Sequence, residues 1–347
     1  MPWRGGADPW GVWVSEIMLQ QTRVDTVTGY WGPFMQRFPT PTALADAAEQ
    51  EVLSYWQGLG YYRRARLLHR ASQVVRDEHG GVVPADPDDF QSLPGVGRYT
   101  AGAVMSIAFG RRAPILDGNV IRVLSRFFRV EGDPRSPDNQ RRLWSLAERV
   151  LPAEGQGDPG DFNQALMDLG ATVCTPPPGH PHCLACPLHE GCDARLAGMQ
   201  ASLPAATAKT AVKRIAAACA LFEDPGGRWL IARRPDAGLL AGLWELPGVE
   251  LRPRQRAERT VAKALVTGLG ERLGVQIPAA ALSKVGEVGH VFTHRKLTLT
   301  VFRCGRWSGQ ARAAGHYPEV RWLDPAAPGV PLPKVTRKVM GLIQSRP

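Results

Sequence analysis

The chain has 347 residues, of which 44% are hydrophobic and 21% charged, and its mean hydropathy is −0.19. These values are those of a folded globular protein and exclude a disordered or collagen-like chain. No apolar run reaches the ~18 residues of a membrane-spanning helix. The length suggests two domains, and a net charge of +10 with pI ≈ 9.6 favours a polyanionic partner such as nucleic acid.

The first part of the chain carries helix signals and no alternating strand pattern. Asp8 and Ser136 each precede a proline, and a capping side chain in that position predicts a helix start. The predicted helices run from Asp8-Pro9 to Leu19, over 23–38, 63–79 and 100–109, from Ser136-Pro137 to Val150, and from Asp161 to Gly170. We therefore predict an all-α domain over residues 1–195.

The pattern changes after a segment rich in Ala, Thr and Ser, residues 196–213, which is predicted to be a linker. Residues 214–347 are predicted to be α+β. The apolar runs 215–222 and 229–233 flank Asp-Pro-Gly-Gly, which predicts a β-hairpin. Alternation over 297–301 predicts a half-buried strand, and the helical periods are 258–273 and 335–343.

Four of the six cysteines fall within nineteen residues at the spacing C-x8-C-x2-C-x5-C; they are Cys174, Cys183, Cys186 and Cys192. Four thiols so close together predict a metal centre. A [4Fe–4S] cluster and a structural zinc ion both stay open, because His180, His182 and His189 lie nearby. The lack of a second CxxC pair favours the cluster. Cys219 and Cys304 are distant in sequence and are expected to be buried small apolar residues.

A glycine-rich turn precedes one predicted helix, in the sequence Leu93-Pro94-Gly95-Val96-Gly97-Arg98. Such a turn can aim backbone N–H groups at a DNA phosphate beside a helix N-terminus. This kind of contact holds a duplex without reading its sequence. The same residues are also compatible with an ordinary turn between two helices.

Further motifs give the chain a specific family resemblance. The glycine turn, Leu116–Val120 and the cysteine loop occur in the order found in helix-hairpin-helix DNA glycosylases. The segments SEIMLQQT (15–22), GLGYY (58–62) and FNQALMDLG (162–170) resemble the adenine DNA glycosylases of the MutY type. The resemblance spans nearly the whole chain.

The resemblance implies a fold and a reaction. The expected fold is an all-α helix-hairpin-helix glycosylase domain with a [4Fe–4S] loop at 174–192, followed by a MutT/Nudix-like α+β domain. The expected activity is hydrolysis of the N-glycosidic bond of adenine mispaired with 8-oxoguanine or guanine in double-stranded DNA. We expect a monomer without membrane association. Because no secretion-signal pattern opens the sequence, we expect it in the cytoplasm, on the nucleoid.

By the same resemblance, Glu16 is the general acid that protonates N7 of adenine, a role that needs a raised pKa. Asp117 would stabilise the oxocarbenium-like sugar, and Asn119 would hydrogen-bond near both acids. Tyr99 stands where bifunctional relatives carry a catalytic lysine. Since the first lysine is Lys209, lyase chemistry through a lysine of the helical domain is not expected. Without the motifs, Glu16 reads as a solvated helix residue, Asp117 as a turn or N-cap, and Tyr99 as a core aromatic.

The resemblance also implies DNA contacts. Gln21 and Tyr61 match residues that fill the gap left when adenine leaves the stack. The predicted DNA-binding set is Leu19, Gln20, Gln21, Thr22, Tyr61, Leu93, Gly95, Val96, Gly97 and Arg98. Phe292, Thr293 and His294 match the F-S-H element that contacts 8-oxoguanine, with Thr in place of Ser. Without the family, this element reads as a polar hairpin tip and Tyr61 as a residue packed between helices.

The chain also departs from the family pattern. The first two cluster cysteines are separated by eight residues rather than six. Only fifteen residues precede Glu16, so we expect the helix that usually precedes this point to be missing or truncated. After Gly248 the carboxylate-rich helix of a Nudix box is absent, so pyrophosphate hydrolysis is not expected. The alternatives are a monofunctional glycosylase for another base such as thymine, a non-catalytic DNA-binding module and a nucleotide hydrolase.

Overall fold

The computed structural model describes residues 1–4, 8–206, 212–253, 255, 257–313 and 316–345. The chain forms two compact units, Met1–Ala47 with Arg63–Lys209 and Ala48–Tyr62 with Thr210–Pro347. Residues 48–62 therefore interrupt the helical part of the sequence but pack with the C-terminal part. The predicted domain bounds, 1–195 and 214–347, do not include this exchange, and residues 207–211 of the predicted linker lie outside the described residues.

Up to residue 206 the described residues form helices and no strand, as predicted. The helices are α1 (Pro9–Leu19), α2 (Val24–Arg37), α3 (Pro41–Ala45), α4 (Glu49–Tyr55), α5 (Arg63–Glu78), α6 (Pro87–Ser92), α7 (Arg98–Ile107), α8 (Gly118–Phe127), α9 (Pro137–Val150), α10 (Pro159–Thr172) and α11 (Asp193–Leu196). A 3-10 turn spans Cys183–Ala185. Among the described residues, no helix combines the length and apolar character needed to span a membrane.

Local capping chemistry sets several of these helix starts. Asp8 and Ser136 accept hydrogen bonds from backbone N–H groups of the first turns of α1 and α9, as predicted. The predicted start of α10 at Asp161 is wrong by two residues. Asp158 caps this helix by accepting the Asp161 N–H at 2.8 Å, and Pro159 is its first residue. The Asp-Pro pair is therefore the signal that marks the start.

Helix α1 is a core helix of the first unit. All residues from Trp10 to Met18 are buried, and the helix contacts α2, α5 and α7. The Trp13 ring is fully buried and lies edge-on to Phe90, with 5.0 Å between the ring centroids. A helix that is apolar on every side belongs in a core. Glu16 lies in the middle of this helix, so its carboxyl group is removed from water.

The second unit is α+β, as predicted. Its elements, besides α4, are β1 (Lys213–Phe222), β2 (Trp229–Arg233), β3 (Trp244–Glu245), β4 (Gly248–Glu250), α12 (Glu258–Leu273), β5 (Leu282–Phe292), β6 (Arg295–Cys304), β7 (Glu319–Leu323) and α13 (Lys334–Gln344). One sheet has the strand order β4-β1-β6-β5 and the other β3-β2-β7. Strands β1 and β6 are parallel, and the other pairs are antiparallel.

The buried side chains at the end of β1 belong alternately to two different cores, because successive side chains point to opposite faces of the sheet. Ala218 and Ala220 belong to a core with residues of α12, whereas Cys219 and Leu221 belong to a core with residues of α13. The four-stranded sheet thus has apolar side chains on both faces. Cys219 and Cys304 are buried, as expected from the sequence.

The predicted hairpin between β1 and β2 is wrong. The Asp224 side chain accepts the N–H groups of Gly226 and Arg228, so the turn forms, but only the bridge between Glu223 and Trp229 continues it. Beyond this bridge the two strands enter different sheets. By contrast, β5 and β6 form a true hairpin with Thr293 and His294 at its tip.

Candidate active site

The buried acid of α1 is hydrogen-bonded to the tyrosine that follows the glycine turn. Glu16 is 5% exposed, and the Tyr99 hydroxyl donates to Glu16 Oε2 at 2.8 Å. Tyr99 is the second residue of α7, so the turn that starts this helix also places the hydroxyl. Glu16 is therefore not a solvated helix residue.

Asp117 is the N-cap of α8, and both oxygens of its carboxyl group accept hydrogen bonds. Oδ1 accepts the Val120 N–H at 2.7 Å, and Oδ2 accepts from Asn119 Nδ2 at 2.9 Å. A carboxylate is stabilised at this position because the N-terminus of a helix carries a positive partial charge. The N-cap interpretation of Asp117 is confirmed, and it also explains how Asn119 reaches the acid.

Burial controls the protonation of the two acids. Loss of hydration raises the pKa of Glu16 to about 7; the hydrogen bond from Tyr99 lowers this pKa, the negative charge of Asp117 raises it, and the positive charge of Arg4 lowers it. Burial also raises the pKa of Asp117, while hydrogen bonds from Val120 and Asn119 lower it. The fold thus places Glu16 and Asp117 close enough for their charges to interact. Of the two, only Asp117 accepts hydrogen bonds from N–H groups in the described contacts.

Arg122 connects this site to the cysteine loop. Its side chain is buried, Nη2 donates to Asn119 Oδ1 at 2.9 Å, and Nε donates to the Cys174 carbonyl at 2.6 Å. Nη2 also donates to the carbonyl of Gly170. A Cβ on Gly170 would lie 2.6 Å from Asn119 Cβ, so only glycine leaves room for Asn119 here. The sequence analysis did not identify Arg122.

Two further arginines were not identified from the sequence. Arg4 forms two hydrogen bonds with Asp168, at 2.6 and 2.9 Å, and its charge acts on Glu16. Arg64 is buried, and its Nη1 donates to the carbonyls of Ile17 and Met18, both at 2.8 Å. The only sequence signal concerned Arg4, because its partner Asp168 lies in the family motif at 162–170.

The end of α1 and the loop after it carry four predicted DNA-binding residues, Leu19 to Thr22. Leu19 ends the helix, and Gln21 has a φ of +57°, in the left-handed region that is uncommon for a residue with a side chain. Arg64 supports the loop by donating to the Gln20 carbonyl and, at 3.1 Å, to Thr22 Oγ1. Gln21 is exposed at the end of a buried helix.

The glycine turn joins α6 to α7. Gly95 has a φ of +83°, and Gly97 is the N-cap residue of α7. The side chains of Leu93 and Val96 are buried, so these two residues can present only backbone groups to a phosphate. The Arg98 guanidinium lies 4.0 Å from the centroid of the Trp144 ring.

The four clustered cysteines line one cavity of about 30 Å³, together with Arg126, His182, His189 and Arg195. Arg126 is 2% exposed; its Nη1 donates to Cys174 Sγ at 3.2 Å, and its Nη2 has no hydrogen-bond partner among the described residues. No three His, Cys, Asp or Glu side chains in the described part of the chain are close enough to hold a single ion. A buried cation beside four thiols fits an anionic group held by these cysteines as thiolates.

In the second unit, Tyr61 contacts the predicted lesion-reading element. Its hydroxyl lies 2.6 Å from Thr293 Oγ1, and the side chain of Tyr61 remains 42% exposed. The ring of Phe292 lies edge-on to that of His290, with 4.5 Å between the centroids, and His294 is exposed. The hairpin-tip interpretation of this element is confirmed, and the tip carries a hydroxyl shared with Tyr61.

A helical unit with a glycine turn, a buried acid and a four-cysteine loop defines a class of DNA repair protein. A family model described as "HhH-GPD superfamily base excision DNA repair protein" matches residues 14–149, and a NUDIX domain model matches residues 217–342. The human adenine DNA glycosylase is 38% identical over 93% of this chain and 67% of its own length, and the mouse protein 38% over 93% and 70%. The chain therefore belongs to the adenine DNA glycosylase family, and it is a base-removing enzyme that acts on DNA.

Among solved structures, the chain is similar to "a thermostable thymine-DNA glycosylase". The two are 32% identical, with a TM-score of 0.51 over 57% of this chain and 88% of that one. The helix-hairpin-helix and Nudix-like fold expected from the sequence is thereby confirmed.

Replacing Glu16 by Gln should stabilise the fold at alkaline pH. The pKa of Glu16 is about 7 in the folded chain against an ordinary 4.5, so the wild-type chain loses stability as the pH rises from about 4.5 to about 7. Glutamine does not ionise, and the advantage of Glu16→Gln should grow by ~2–3 kcal/mol between pH 5 and pH 8. Urea unfolding at both pH values measures this. The exposed Glu154→Gln is the matched control, and an equal response of both variants would contradict the burial of the charge.

Proposed function

We propose that the enzyme hydrolyses the N-glycosidic bond of adenine mispaired with 8-oxoguanine or guanine. The observation that carries this proposal is the buried Glu16 carboxyl group, whose pKa is about 7, hydrogen-bonded to Tyr99 and close to the charge of Asp117. In this arrangement Glu16 can donate a proton, and Asp117 can supply a negative charge, to the same nucleotide. The family membership supports adenine as the base that is removed.

Glu16 is the general acid in this mechanism. It donates its proton to N7 of an adenine that has left the helical stack, and the bond between C1′ and N9 breaks with its electron pair moving to the base. Asp117, held by Val120 and Asn119, stabilises the positive charge that develops on the sugar. A water molecule then adds to C1′ and gives one proton to the Glu16 carboxylate, which restores the acid. No lysine precedes Lys209, so residues 1–208 have no side-chain amine for a lyase step.

The remaining predicted residues hold the DNA. The backbone N–H groups of the 93–98 turn would bind a phosphate at the start of α7, consistent with the buried side chains of Leu93 and Val96. Gln21 and Tyr61 are both exposed and would enter the space that adenine leaves. Phe292, Thr293 and His294 would contact 8-oxoguanine. We propose that the enzyme acts as a monomer on the nucleoid in the cytoplasm.

We further propose that Cys174, Cys183, Cys186 and Cys192 hold a [4Fe–4S] cluster. The buried, incompletely bonded guanidinium of Arg126 beside their shared cavity supports an anionic occupant. When bound, the cluster supplies a four-way crosslink that fixes the loop. Arg122 contacts this loop at the Cys174 carbonyl and Asn119 at the other end, so it aligns the Asp117 carboxylate with a rigid backbone.

Single-turnover excision tests the proposed reaction. We expect adenine to be removed from duplexes that pair it with 8-oxoguanine or guanine, and no removal of thymine or uracil opposite guanine. Glu16→Gln should lower the rate by ~100-fold or more, since the proton donor is lost, while duplex binding persists. Glu154→Gln is the control and should react like the wild type. Faster removal of thymine would favour the activity named for the similar solved structure.

The pH dependence tests the pairing of Glu16 with Tyr99. Excision should fall as the pH rises through about 7, because the acid loses its proton there. The Tyr99 hydrogen bond lowers the pKa of Glu16, so Tyr99→Phe should move the decline to a higher pH. Single-turnover rates between pH 5.5 and 9 measure the shift, with DNA binding followed in parallel. A decline that moves to lower pH would refute this assignment.

Iron analysis tests the cluster. We expect the purified chain to contain iron and acid-labile sulfide, and Cys186→Ser to lose both. Cys304→Ser is the matched control, because Cys304 is buried in the other unit and lies outside the four-cysteine cavity. Zinc in place of iron would refute the cluster and favour the structural zinc site.

A further inference from the structure

Two glutamines attach residues 48–62 to the C-terminal part of the second unit. Gln50 Nε2 donates to the Gly242 carbonyl at 3.0 Å, and its Oε1 accepts from Trp244 Nε1 at 2.8 Å. Gln57 Oε1 accepts the Leu332 N–H at 2.7 Å. An amide that donates and accepts at once is fixed in orientation as well as position.

The partners of these glutamines belong to a rigid core. Trp244 and Leu332 lie in the apolar cluster that contains residues of β1, β6 and α13. Leu53 of α4 lies next to Gly242, where an added Cβ would be 3.7 Å from Leu53 Cδ1. In the sequence, Leu243–Gly248 is the approach to a Nudix box whose acidic helix is absent. In the structure, Trp244 of this segment donates its indole N–H to Gln50.

The loop after α4 is held in an unusual backbone conformation. Gly58 and Gly60 have φ of +111° and +77°, and Tyr61 has a φ of +47° although it carries a large side chain. Trp56 Nε1 donates to the Gly60 carbonyl at 3.1 Å, and the Tyr62 hydroxyl accepts the Gly58 N–H at 3.3 Å. A bulky residue with positive φ persists only where its surroundings impose it.

The loop after α4 places Tyr61 in contact with Thr293. The exposed ring of Tyr61 is joined through its hydroxyl to the tip of the β5–β6 hairpin. Lys338 of α13 donates to the Gly289 carbonyl of β5 at 3.0 Å, so the hairpin itself is tied to α13. The aromatic ring and the hydroxyl thus form one surface within the second unit.

We infer that Gln50 and Gln57 are positioning residues for recognition of the base opposite adenine. They fasten the 48–62 segment so that Tyr61 and Thr293 meet 8-oxoguanine as a single reading surface. The inference rests on the proposed function. Neither glutamine touches Glu16 or Asp117 through any described hydrogen bond, so their loss should weaken lesion discrimination and leave the chemical step unchanged.

The test compares Gln50→Leu/Gln57→Leu with the wild type on adenine opposite 8-oxoguanine and opposite guanine. With subsaturating enzyme, the preference for the 8-oxoguanine duplex should fall about tenfold, since the three described hydrogen bonds are lost. With saturating enzyme, the single-turnover rate opposite guanine should stay within about twofold of the wild-type rate. Stacking of Tyr61, read by quenching of a 2-aminopurine placed beside the lesion, should decrease in parallel.

Conservative variants separate positioning from folding. Gln57→Glu keeps an acceptor for the Leu332 N–H and should retain the preference for the 8-oxoguanine duplex, whereas Gln57→Leu should lose it. These single variants test the inference even if the double variant fails to fold. Gln91→Leu, an exposed residue of α6, is the matched control. A double variant with the wild-type preference, or an equal loss on both duplexes, would overturn the inference. A wild-type enzyme without any preference would instead refute the lesion specificity of the proposed function.

Discussion

Removal of one carboxyl group from water organises the helical unit. Glu16 lies within a run of buried residues on α1, and loss of hydration raises its pKa to about 7. The glycine turn before α7 supplies the hydroxyl that reaches this acid. The capped start of α8 supplies the second carboxyl group in an environment rich in N–H donors. Two acids of similar intrinsic strength thereby acquire different environments.

Arginine makes many of the long-range contacts of this unit. Arg64, Arg122 and Arg126 are buried, and each donates to two or more backbone carbonyls from distant parts of the chain. A guanidinium group suits this role because its five donors lie in one plane at fixed angles, which an ammonium group does not offer. The sequence before Lys209 contains arginine but no lysine, and in the structure three of these arginines bind backbone carbonyls in the interior. The arginines that raise the net charge also crosslink the interior.

The features that could be predicted from the sequence are those that depend on residues close together in the chain. The Asp8 and Ser136 caps, the glycine turn and the β6 strand depend on neighbouring residues, and the catalytic candidates depended on motifs. The β1–β2 hairpin failed because strand partners are chosen by distant segments, and a turn signal alone does not specify them. Arg64 and Arg122 could not be found because their partners are mainly carbonyl groups, which every residue carries. For the same reason nothing in the sequence linked Gln57 to Leu332.

The exchange of residues 48–62 has a consequence for biosynthesis. Val52, Leu53 and Trp56 are buried in the finished fold, yet the part of the second unit that follows residue 209 is synthesised long after them. The ribosome adds roughly 5–20 residues per second, so on the order of ten seconds or more pass between the synthesis of these apolar side chains and that of the later part. The second unit therefore cannot close around residues 48–62 until that later part of the chain has been made.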